Sequence, residues 1–553
     1  MKKSCRQCSA PFEISSEDLS FYEKISPVFS GKKELIPPPT LCPECRRQRR
    51  FAWRNERSLY HRKCDATGRQ IVSAYAPSKP FLVYQREEWL SDRWDAGTYG
   101  RPVDFTRSFF EQWAELQLDV PAMALSEYNN ENCSYTNYVA TSKNCYLIFG
   151  SVYCQDCYYG SPYYSTSCVD SLLIRNCELC LSCITCEKCY GCAECLDCVN
   201  CSGCLFCTDC ENCNHCIGCV NLRNAEYRIF NEQVSRKAFE ERRKDMSKDS
   251  VFKLLRERSK EFLRTQPRRA AVQVQCEASS GNNLYHSKNV RDAFDLQRCQ
   301  DCRFTAQIVD AKDCMDTNYT EEEELCYEYF GSYHNQRQIF CFLNYNSADT
   351  AYCTNCHSCR NCFGCIGLQR KEYCILNKQC TKEEYEKLVP KIIEHMRKAG
   401  EWGEFLPVQF SPFAYNETVA QDYFPMTQEE VSHRGWKWEE LQKAEQNYLG
   451  PQVTISDDIA DASDELCKAL LTCEASGVPY KIIPQELKIY RQMQLPLPRL
   501  CPEQRIRRRM ALRNPRKLWN RNCAKCQKGI ETTYAPERPE VVYCEECYLS
   551  SVY

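Results

Sequence analysis

Residues 177–219 read CELCLSCITCEKCYGCAECLDCVNCSGCLFCTDCENCNHCIGC, so every third residue of this segment is a cysteine. Along an α-helix a step of three residues falls roughly 60° short of a full turn, and fifteen such positions would surround the helix. In a β-strand the same step changes face every time. Coils whose length is a multiple of three, with bends between short sides, would instead bring all these thiols to the interior.

The residues between the cysteines support such bends. The residue before the next cysteine is usually small or polar, as at Ser182, Asn200 and Gly203, whereas the residue after a cysteine is more often apolar. Upstream, the cysteines are about a dozen residues apart and separated by strand-like runs such as CYLIFGSVYC (145–154). The pattern predicts a β-helix-like stack, a solenoid with wide coils first and tight cysteine coils after them.

The central region is duplicated. The segment CIGCVNLRNAEYRIFNEQVSRKAFEE (216–241) aligns without gaps with CFGCIGLQRKEYCILNKQCTKEEYEK (362–387), and each follows a Cys-x-x-Cys run and leads into a helix-like segment. Thr381 and Glu384 form a capping box before the second helix. We therefore predict two cysteine-rich arrays, array 1 (residues 131–230) and array 2 (residues 276–380), each closed by a helix and joined by a charged helical bridge over 231–275.

The two ends of the chain are a second duplication. Residues 41–68 align with residues 500–527 at a constant offset of 459. We define the N-terminal module as residues 1–95 and the C-terminal module as residues 467–553. A helical linker is predicted over 96–130, and a capping helix with an aromatic, proline-rich strap over 381–466. The predicted fold class is mainly β with helices, with zinc-ribbon-like modules flanking the two arrays.

Each module retains one complete set of four cysteines in Cys-x-x-Cys pairs, the ligand number and spacing of a structural zinc site. A second set in each module is incomplete, with Thr67 in the N-terminal module and Ser476 and Gln504 in the C-terminal module at ligand positions. The sequence predicts two structural zinc sites, whose ligands are Cys5, Cys8, Cys42 and Cys45, and Cys523, Cys526, Cys544 and Cys547.

The array cysteines have two interpretations. Reduced cysteine packs as a small apolar residue, whereas repeated Cys-x-x-Cys pairs suit coordination of further zinc or an iron–sulfur cluster. The candidate additional metal ligands are Cys177, Cys180, Cys183, Cys186, Cys189, Cys192, Cys195, Cys198, Cys201, Cys204, Cys207, Cys210, Cys213, Cys216, Cys219, Cys353, Cys356, Cys359, Cys362 and Cys365.

Arginines recur at equivalent places in both modules with the spacing of one helix face, and the helices are expected to begin at Pro43 and Pro502. An arginine-lined helix on a zinc module suits contact with a phosphate backbone, RNA more than DNA. The alternative is internal pairing with the zinc thiolates or with acids such as Asp92 and Asp95. The candidate residues are Arg46, Arg50, Arg54, Arg57, Arg505, Arg509, Arg513 and Arg516.

Composition limits the class of protein. The 553 residues carry a net charge of −2 and 45 cysteines, with neither a secretory signal nor an apolar run long enough for a transmembrane helix. We therefore expect a cytoplasmic protein with free or metal-bound thiols and no membrane partner. The sequence carries no signal for a protein partner or an oligomeric state. No catalytic motif is present, so the predicted function is a non-enzymatic multi-zinc scaffold that contacts nucleic acid. A thiol-rich metal reservoir or redox buffer is the alternative, and a metalloenzyme a weaker one.

The N-terminal motif CRQC…FEISSEDLSFY…PPPTLCPECRRQRR resembles a zinc-ribbon domain family of bacterial proteins. Residues 5–50 fit the family pattern fully, and residues 473–509 form a degenerate copy because Ser476 and Gln504 replace ligands. Over its whole length the chain also resembles large cysteine-rich proteins of candidate-phylum bacteria, chiefly through CIGCVNLRNAEYRIFN and TTYAPERPEVVYCEECY. The resemblance implies metal binding at the two ends and no particular activity.

Overall fold

A computed structural model of the protein describes residues 1–440 and 453–552. It combines helices with many short strands. The helices are α1 (Ser16–Ile25), α2 (Pro43–Phe51), α3 (Arg86–Trp89), α4 (Phe109–Asp119), α5 (Arg236–Lys244), α6 (Asp249–Thr265), α7 (Lys382–Ala399), α8 (Val419–Tyr423), α9 (Gln428–His433), α10 (Pro484–Met493), α11 (Pro502–Ala511) and α12 (Glu545–Val552). No helix in the described ranges is both long and apolar enough to cross a bilayer.

The modules contain short antiparallel hairpins. In the N-terminal module the strands are β1 (Lys2–Ser4), β2 (Pro11–Glu13), β3 (Val28–Phe29), β4 (Lys32–Lys33), β5 (Tyr60–Lys63), β6 (Gln70–Ser73) and β7 (Val83–Tyr84). In the C-terminal module they are β29 (Leu471–Thr472), β30 (Pro479–Tyr480), β31 (Trp519–Asn522), β32 (Gly529–Thr532) and β33 (Val542–Tyr543).

The arrays are built from parallel strands. Array 1 and its approach contain β8 (Ala122–Met123), β9 (Glu127–Tyr128), β10 (Asn137–Ala140), β11 (Tyr146–Val152), β12 (Tyr158–Tyr163), β13 (Leu172–Arg175), β14 (Asn214–Ile217), β15 (Glu226–Ile229) and β16 (Glu232–Gln233). Array 2 and its approach contain β17 (Arg268–Arg269), β18 (Gln273–Val274), β19 (Gly281–Tyr285), β20 (Ala293–Gln297), β21 (Ala306–Val309), β22 (Lys312–Glu321), β23 (Glu324–Tyr333), β24 (Gln336–Ile339), β25 (Ala348–Ala351), β26 (Arg360–Phe363), β27 (Glu372–Ile375) and β28 (Lys378–Gln379).

Both arrays pair in parallel at a nearly constant interval. Leu181 pairs with Ala193, and Ala193 with Leu205, so each repeat covers twelve residues, a multiple of three. The same interval joins β22 to β23 in array 2. The predicted change from wide to tight repeats is wrong, because the interval stays at twelve, with occasional shifts to eleven, where cysteines are sparse and where they are dense. The cysteines become sparse because other residues occupy their positions.

The bends lie where the sequence predicts them. The residue before each next cysteine has a positive φ, for example 53° at Ser182 and 52° at Asn200, and four such corners occur per repeat. Asparagine, aspartate and glycine adopt this conformation most readily. Phe206 adopts it too, with φ 56°, which indicates that the stacked repeats impose the bend on residues that disfavour it.

The modules cross over between the arrays. In the N-terminal module, α2 packs against β22 and β23 of array 2, while β7 pairs with β8 at the start of array 1. In the C-terminal module, α11 packs against β12 of array 1, while β33 pairs with β17 at the start of array 2. Each module therefore touches both arrays, and the two halves of the duplication are related by equivalent contacts.

The remaining segments cover these contacts. The predicted capping box of Thr381 and Glu384 is confirmed at the start of α7. In the predicted strap, Trp402 and Phe405 are buried in the core that contains α2 and array 2. Residues 441–452 of the predicted strap lie outside the described residues.

Candidate metal centres

The first complete cysteine set of the N-terminal module converges on one point. Sγ atoms of Cys5, Cys8, Cys42 and Cys45 all lie within 4.8 Å of one another, and those of Cys8 and Cys42 are 3.7 Å apart. Four thiolates around a tetrahedral zinc with bonds of about 2.3 Å would stand about 3.8 Å apart. The spacing therefore fits a four-cysteine metal site.

The C-terminal set has the same geometry. Sγ atoms of Cys523, Cys526, Cys544 and Cys547 also lie within 4.8 Å, and those of Cys526 and Cys544 are 3.7 Å apart. In both sets one ligand, Cys8 or Cys526, is exposed, so each site lies at the protein surface. Two groups of four cysteines are thus positioned to bind metal.

Helix termini favour the deprotonated ligands. Cys42 is the N-cap of α2, and Cys544 directly precedes α12, so both thiols lie at the positive end of a helix dipole. A hydrogen bond from Cys45 holds the pKa of Cys42 at about 5. Burial opposes deprotonation of Cys523, but backbone N–H groups, first that of Cys526, outweigh it and lower the pKa to about 6. Each site therefore contains a thiol that ionises easily.

The two incomplete sets keep the backbone turn of a metal site without its ligands. The Cys64 N–H donates to the Arg69 carbonyl at 2.8 Å, as the Cys523 N–H donates to Lys528 at 2.8 Å in the complete set. Thr67, Gln85 and Glu88 stand where the C-terminal module has cysteine. The Glu88 carboxylate is paired with Arg93. In the other incomplete set, the Ser476 hydroxyl lies 3.8 Å from the Cys501 sulfur.

The array cysteines do not form further groups of this kind. Within the described parts of the chain, only the two terminal sets bring three or more potential ligand atoms within 4.8 Å of one another. The candidate ligands of residues 177–219 and 353–365 are almost completely buried. All 45 cysteines lie in the described ranges, and all are free thiols. This burial fits packing, the first of the two interpretations, and the coordination of further metal by the array cysteines stays a prediction.

Backbone N–H groups give some of the interior cysteines a second role. The Cys365 N–H points inward and donates to Sγ of Cys353, twelve residues earlier, at 3.4 Å. The Cys353 N–H donates in the same way to Sγ of Cys341 at 3.3 Å. The Cys353 thiol in turn approaches the carbonyls of Ala351 and Cys362, each at 3.4 Å. A compact, apolar side chain that also accepts a hydrogen bond therefore suits Cys341 and Cys353, and valine or alanine would provide no acceptor there.

The exceptions to the cysteine pattern fall into two groups. Buried Ile174 and Val290 offer no acceptor, whereas other side chains in the column offer one to the N–H twelve residues later. Ser165 accepts from Cys177 at 3.2 Å, and Ser287 accepts from Cys299 at 3.1 Å. Asn344 accepts from Cys356 at 3.0 Å. An inward backbone N–H without an acceptor would be costly in a core that excludes water.

The predicted arginine helices are confined to the first half of each arginine series. α2 ends at Phe51 and α11 at Ala511, so Arg54 and Arg57, with Arg513 and Arg516, lie beyond the helices. After α2, the N–H groups of Trp53 and Arg54 donate to the carbonyls of Arg50 and Phe51, so the chain turns at this point. The continuous four-arginine helix face of the sequence prediction is therefore wrong.

The N-terminal arginines face the protein interior. Nε of Arg46 lies 2.8 Å from the carboxylate of Asp316, and Nη1 of Arg50 lies 2.9 Å from Glu328. Both arginine side chains are at most 2% exposed. A buried charge is stable only when it is paired, and these pairs meet that condition.

Further along, Arg54 pairs with Glu56 and stacks on the Tyr138 ring of array 1 at 3.8 Å, while Arg57 pairs with Asp422. The interior contacts therefore continue past the helix.

The C-terminal arginines repeat this arrangement. Arg505 pairs with Asp170 and with Glu486 at 2.8 Å, and Arg509 pairs with Asp170 at 3.0 Å. The side chains of Arg513 and Arg516 share Asp295 of array 2, at 3.0 and 2.8 Å.

These eight arginines do not form an exposed phosphate-binding surface, because carboxylates of the arrays, the modules and α8, together with aromatic rings, occupy their guanidinium groups. The acids proposed from sequence are also wrong: Asp95 pairs with Lys371, and Asp92 lies near Arg370.

Sequence reasoning missed the array acids. Asp170 and Asp316 stand 146 residues apart, the same offset that relates Cys216 to Cys362. Both occupy corner positions with positive φ. The repeat offset could have identified them, because an aspartate kept at one position in both arrays is a candidate partner for an arginine kept in both modules.

Comparisons with known proteins identify no family for this chain. No protein family matches the chain, and no curated protein matches it. A crystal structure from Desulfovibrio desulfuricans G20, provisionally described as an acetyltransferase, is 8% identical, with a TM-score of 0.11. The match covers 43% of this chain and 65% of the other, so the chain spans less than two thirds of that protein. A similarity this low bears on neither fold nor function.

Proposed function

We propose that the protein is a non-enzymatic scaffold in which two zinc-ribbon-like modules, each with one structural zinc, hold two cysteine-rich arrays together. The observation that carries the proposal is the pair of four-cysteine groups, one in each module. Zinc is the metal of choice because it is bound tetrahedrally by four thiolates in structural sites, which leave no open position for catalysis.

The crossed contacts give the metal a structural task. The helix that begins at Cys42 carries the arginines that pair with array 2. Loss of zinc from Cys5, Cys8, Cys42 and Cys45 would therefore loosen the anchoring of Arg46 against Asp316. Metal binding and module docking are in this way coupled, since both depend on the same helix.

Metal analysis of the purified full chain tests the proposal. We expect about two zinc per chain, one lost in Cys8→Ser and the other in Cys526→Ser, because a site with three thiolates binds metal more weakly. Cys64→Ser is the matched control, since its set is already incomplete, and it should retain both metals. Five or more zinc per chain, or two metals retained in Cys8→Ser, would contradict the assignment.

We also propose that each array is a β-helix. The supporting facts are the parallel pairing every twelve residues and the four left-handed corners in each repeat, as in a coil with four short sides. The free thiols further suit a reducing compartment, so a cytoplasmic location is part of the proposal.

A metal reservoir or redox buffer is the less favoured function. Such a role needs thiols that metal ions or oxidants reach, and the array thiols are almost fully buried. Titration of the native protein with a thiol reagent such as dithionitrobenzoate separates the two functions. A scaffold should show only a few fast-reacting thiols, whereas a reservoir should show most of its 45.

Nucleic-acid contact is not part of the proposed function. A phosphate backbone needs exposed guanidinium groups, and those of α2 and α11 are used inside the protein. Salt-dependent RNA binding that is lost in Arg54→Glu without loss of folding would restore the idea.

A further inference from the structure

The two halves of the protein differ at one buried position. In array 2, the Glu328 carboxylate is completely buried and accepts hydrogen bonds from the guanidinium groups of Arg49 at 2.8 Å and Arg50 at 2.9 Å. The equivalent arginines of α11, at the module offset of 459, are Arg508 and Arg509. The equivalent array residue, at the offset of 146, is Ser182. Array 1 thus lacks the carboxylate that holds two arginines together in array 2.

The described residues do not fill the space that a glutamate side chain would occupy at Ser182. A cleft of about 180 Å³ lies between α11, α6 and array 1, and Ser182 is part of its wall. Apolar side chains, among them Phe252 and Leu497, form the rest of the wall together with charged groups. A serine hydroxyl is two heavy atoms shorter than a glutamate carboxylate group, so the change from glutamate to serine itself opens room.

The charges around the two positions show the same difference. Near Glu328 four guanidinium groups meet five carboxylates, those of Arg46, Arg49, Arg50 and Arg303 with those of Glu17, Asp18, Asp316, Glu328 and Glu404, of which Glu17 is shared with Arg291. Near Ser182 four guanidinium groups meet three carboxylates, those of Arg256, Arg505, Arg508 and Arg509 with those of Asp170, Glu194 and Glu486. At the mouth of the cleft, two cations and two carboxylates balance, namely Lys253 and Arg499 with Asp249 and Glu474.

The arginines at the cleft are also incompletely satisfied. Nε and Nη2 of Arg505 are buried and have no hydrogen-bond partner among the described residues, although its side chain is only 6% exposed; one buried nitrogen each of Arg49 and Arg50 in the other half is in the same position. Burial lowers the pKa of Arg508 and of Arg509, because the nearby carboxylates do not fully offset it. The pKa of Arg505 is raised instead, because Asp170 and Glu486 outweigh its burial, as Glu328 and Glu404 do for Arg49 in the other half.

We propose that the cleft at Ser182 binds a small oxyanion, a phosphate or a carboxylate, in the place that the Glu328 carboxylate has in the other half of the protein. The anion would restore the missing negative charge and accept from Arg508 and Arg509, of which Arg508 is 34% exposed and has the freer guanidinium group. The chemistry that recognises the ligand is that of the internal carboxylate, which has the same charge and the same arginine geometry.

Ligand titrations of the zinc-loaded full chain test the site. The protein is prepared without phosphate or carboxylate buffers, and its melting temperature is measured with inorganic phosphate, with acetate and with chloride at equal ionic strength. We expect a saturable rise with phosphate, acetate or both, beyond that with chloride, as a ligand that binds only the folded state produces. The response to phosphate against acetate distinguishes the two classes of ligand.

Two variants decide the assignment. Ser182→Glu places the internal carboxylate in the cleft, so we expect it to melt higher without ligand and to lose the phosphate or acetate response. Arg508→Gln should weaken anion binding about tenfold, whereas Arg507→Gln, whose side chain is 61% exposed and paired with Glu503, should leave it unchanged. A wild-type protein that responds to phosphate and acetate no more than to chloride, or a Ser182→Glu protein that responds as wild type, overturns the proposal.

Discussion

Replacing one interior cysteine by alanine or by serine separates simple packing from the acceptor role of the thiols. Cys353 is fully buried, and its sulfur accepts from the Cys365 N–H at 3.4 Å. Alanine and serine both remove the sulfur and leave a space of similar size, so their difference isolates the acceptor. A buried hydroxyl without a partner would favour alanine, but here the serine hydroxyl can also donate to the carbonyl of Ala351.

The expected difference follows from the cost of an unsatisfied group. A buried N–H that loses its acceptor costs roughly 1–3 kcal/mol, and part of that cost remains with serine because its oxygen is closer to the backbone. We therefore expect Cys353→Ser to be more stable than Cys353→Ala by about 1–2 kcal/mol, which corresponds to roughly 5- to 30-fold slower local opening. A purely apolar core predicts the opposite order.

Hydrogen exchange followed by mass spectrometry measures the effect at the right place. The peptide that contains Cys365 should exchange faster in Cys353→Ala than in Cys353→Ser, and the thermal melting temperatures should follow the same order. Cys380 is the matched control, because it is only partly buried and its sulfur lies against the Lys378 carbonyl, so its alanine and serine variants should agree within about 0.5 kcal/mol. Equal or greater protection in Cys353→Ala would refute the acceptor role.

Three further results are expected. Removal of metal with a chelator should lower the melting temperature of wild type. The chelator should lower the melting temperature of Cys8→Ser by less, because one of its metal sites is already weakened. Equal decreases in the two proteins would count against the metal assignment. Glu328→Ala should destabilise the protein by about 3–5 kcal/mol in thermal or denaturant unfolding, since it removes a completely buried carboxylate that Arg49 and Arg50 share. Glu383→Ala, at an exposed position of α7, should stay within about 0.5 kcal/mol. Burial raises the pKa of Asp197 to about 7. The stability of wild type relative to Asp197→Asn should therefore fall as the pH rises from about 4 to 7. Melting temperatures of the two proteins that change in parallel across that range would exclude this.

Two patterns in the sequence led directly to local structure. The period of three was enough to place a bend before each cysteine and to require repeats that are multiples of three, and the positive φ values occur at those residues. The four-cysteine sets were equally clear, because metal ligation depends on residue type and short spacing, which a sequence displays. The repeat length itself was misjudged, since serine and asparagine fill cysteine positions and hide the constant interval of twelve.

The arginines show where the sequence was insufficient. A stripe of arginines at helical spacing fits a phosphate backbone and a row of buried carboxylates equally well, because both present negative charge at similar intervals. Arg46 meets its partner 270 residues further along the chain, at Asp316. Only the packing of the module on the opposite array reveals which partner the helix has.

The sequence by itself determined the two duplications, the corners of the repeats and the two metal-ligand sets, since each depends on residues close together in the chain. The tertiary structure decided that the modules cross between the arrays, that the thiols of Cys341 and Cys353 accept inward N–H groups, and that Ser182 leaves room beside three arginines. These features depend on residues brought together from distant parts of the chain, where burial and charge balance determine the role of each side chain.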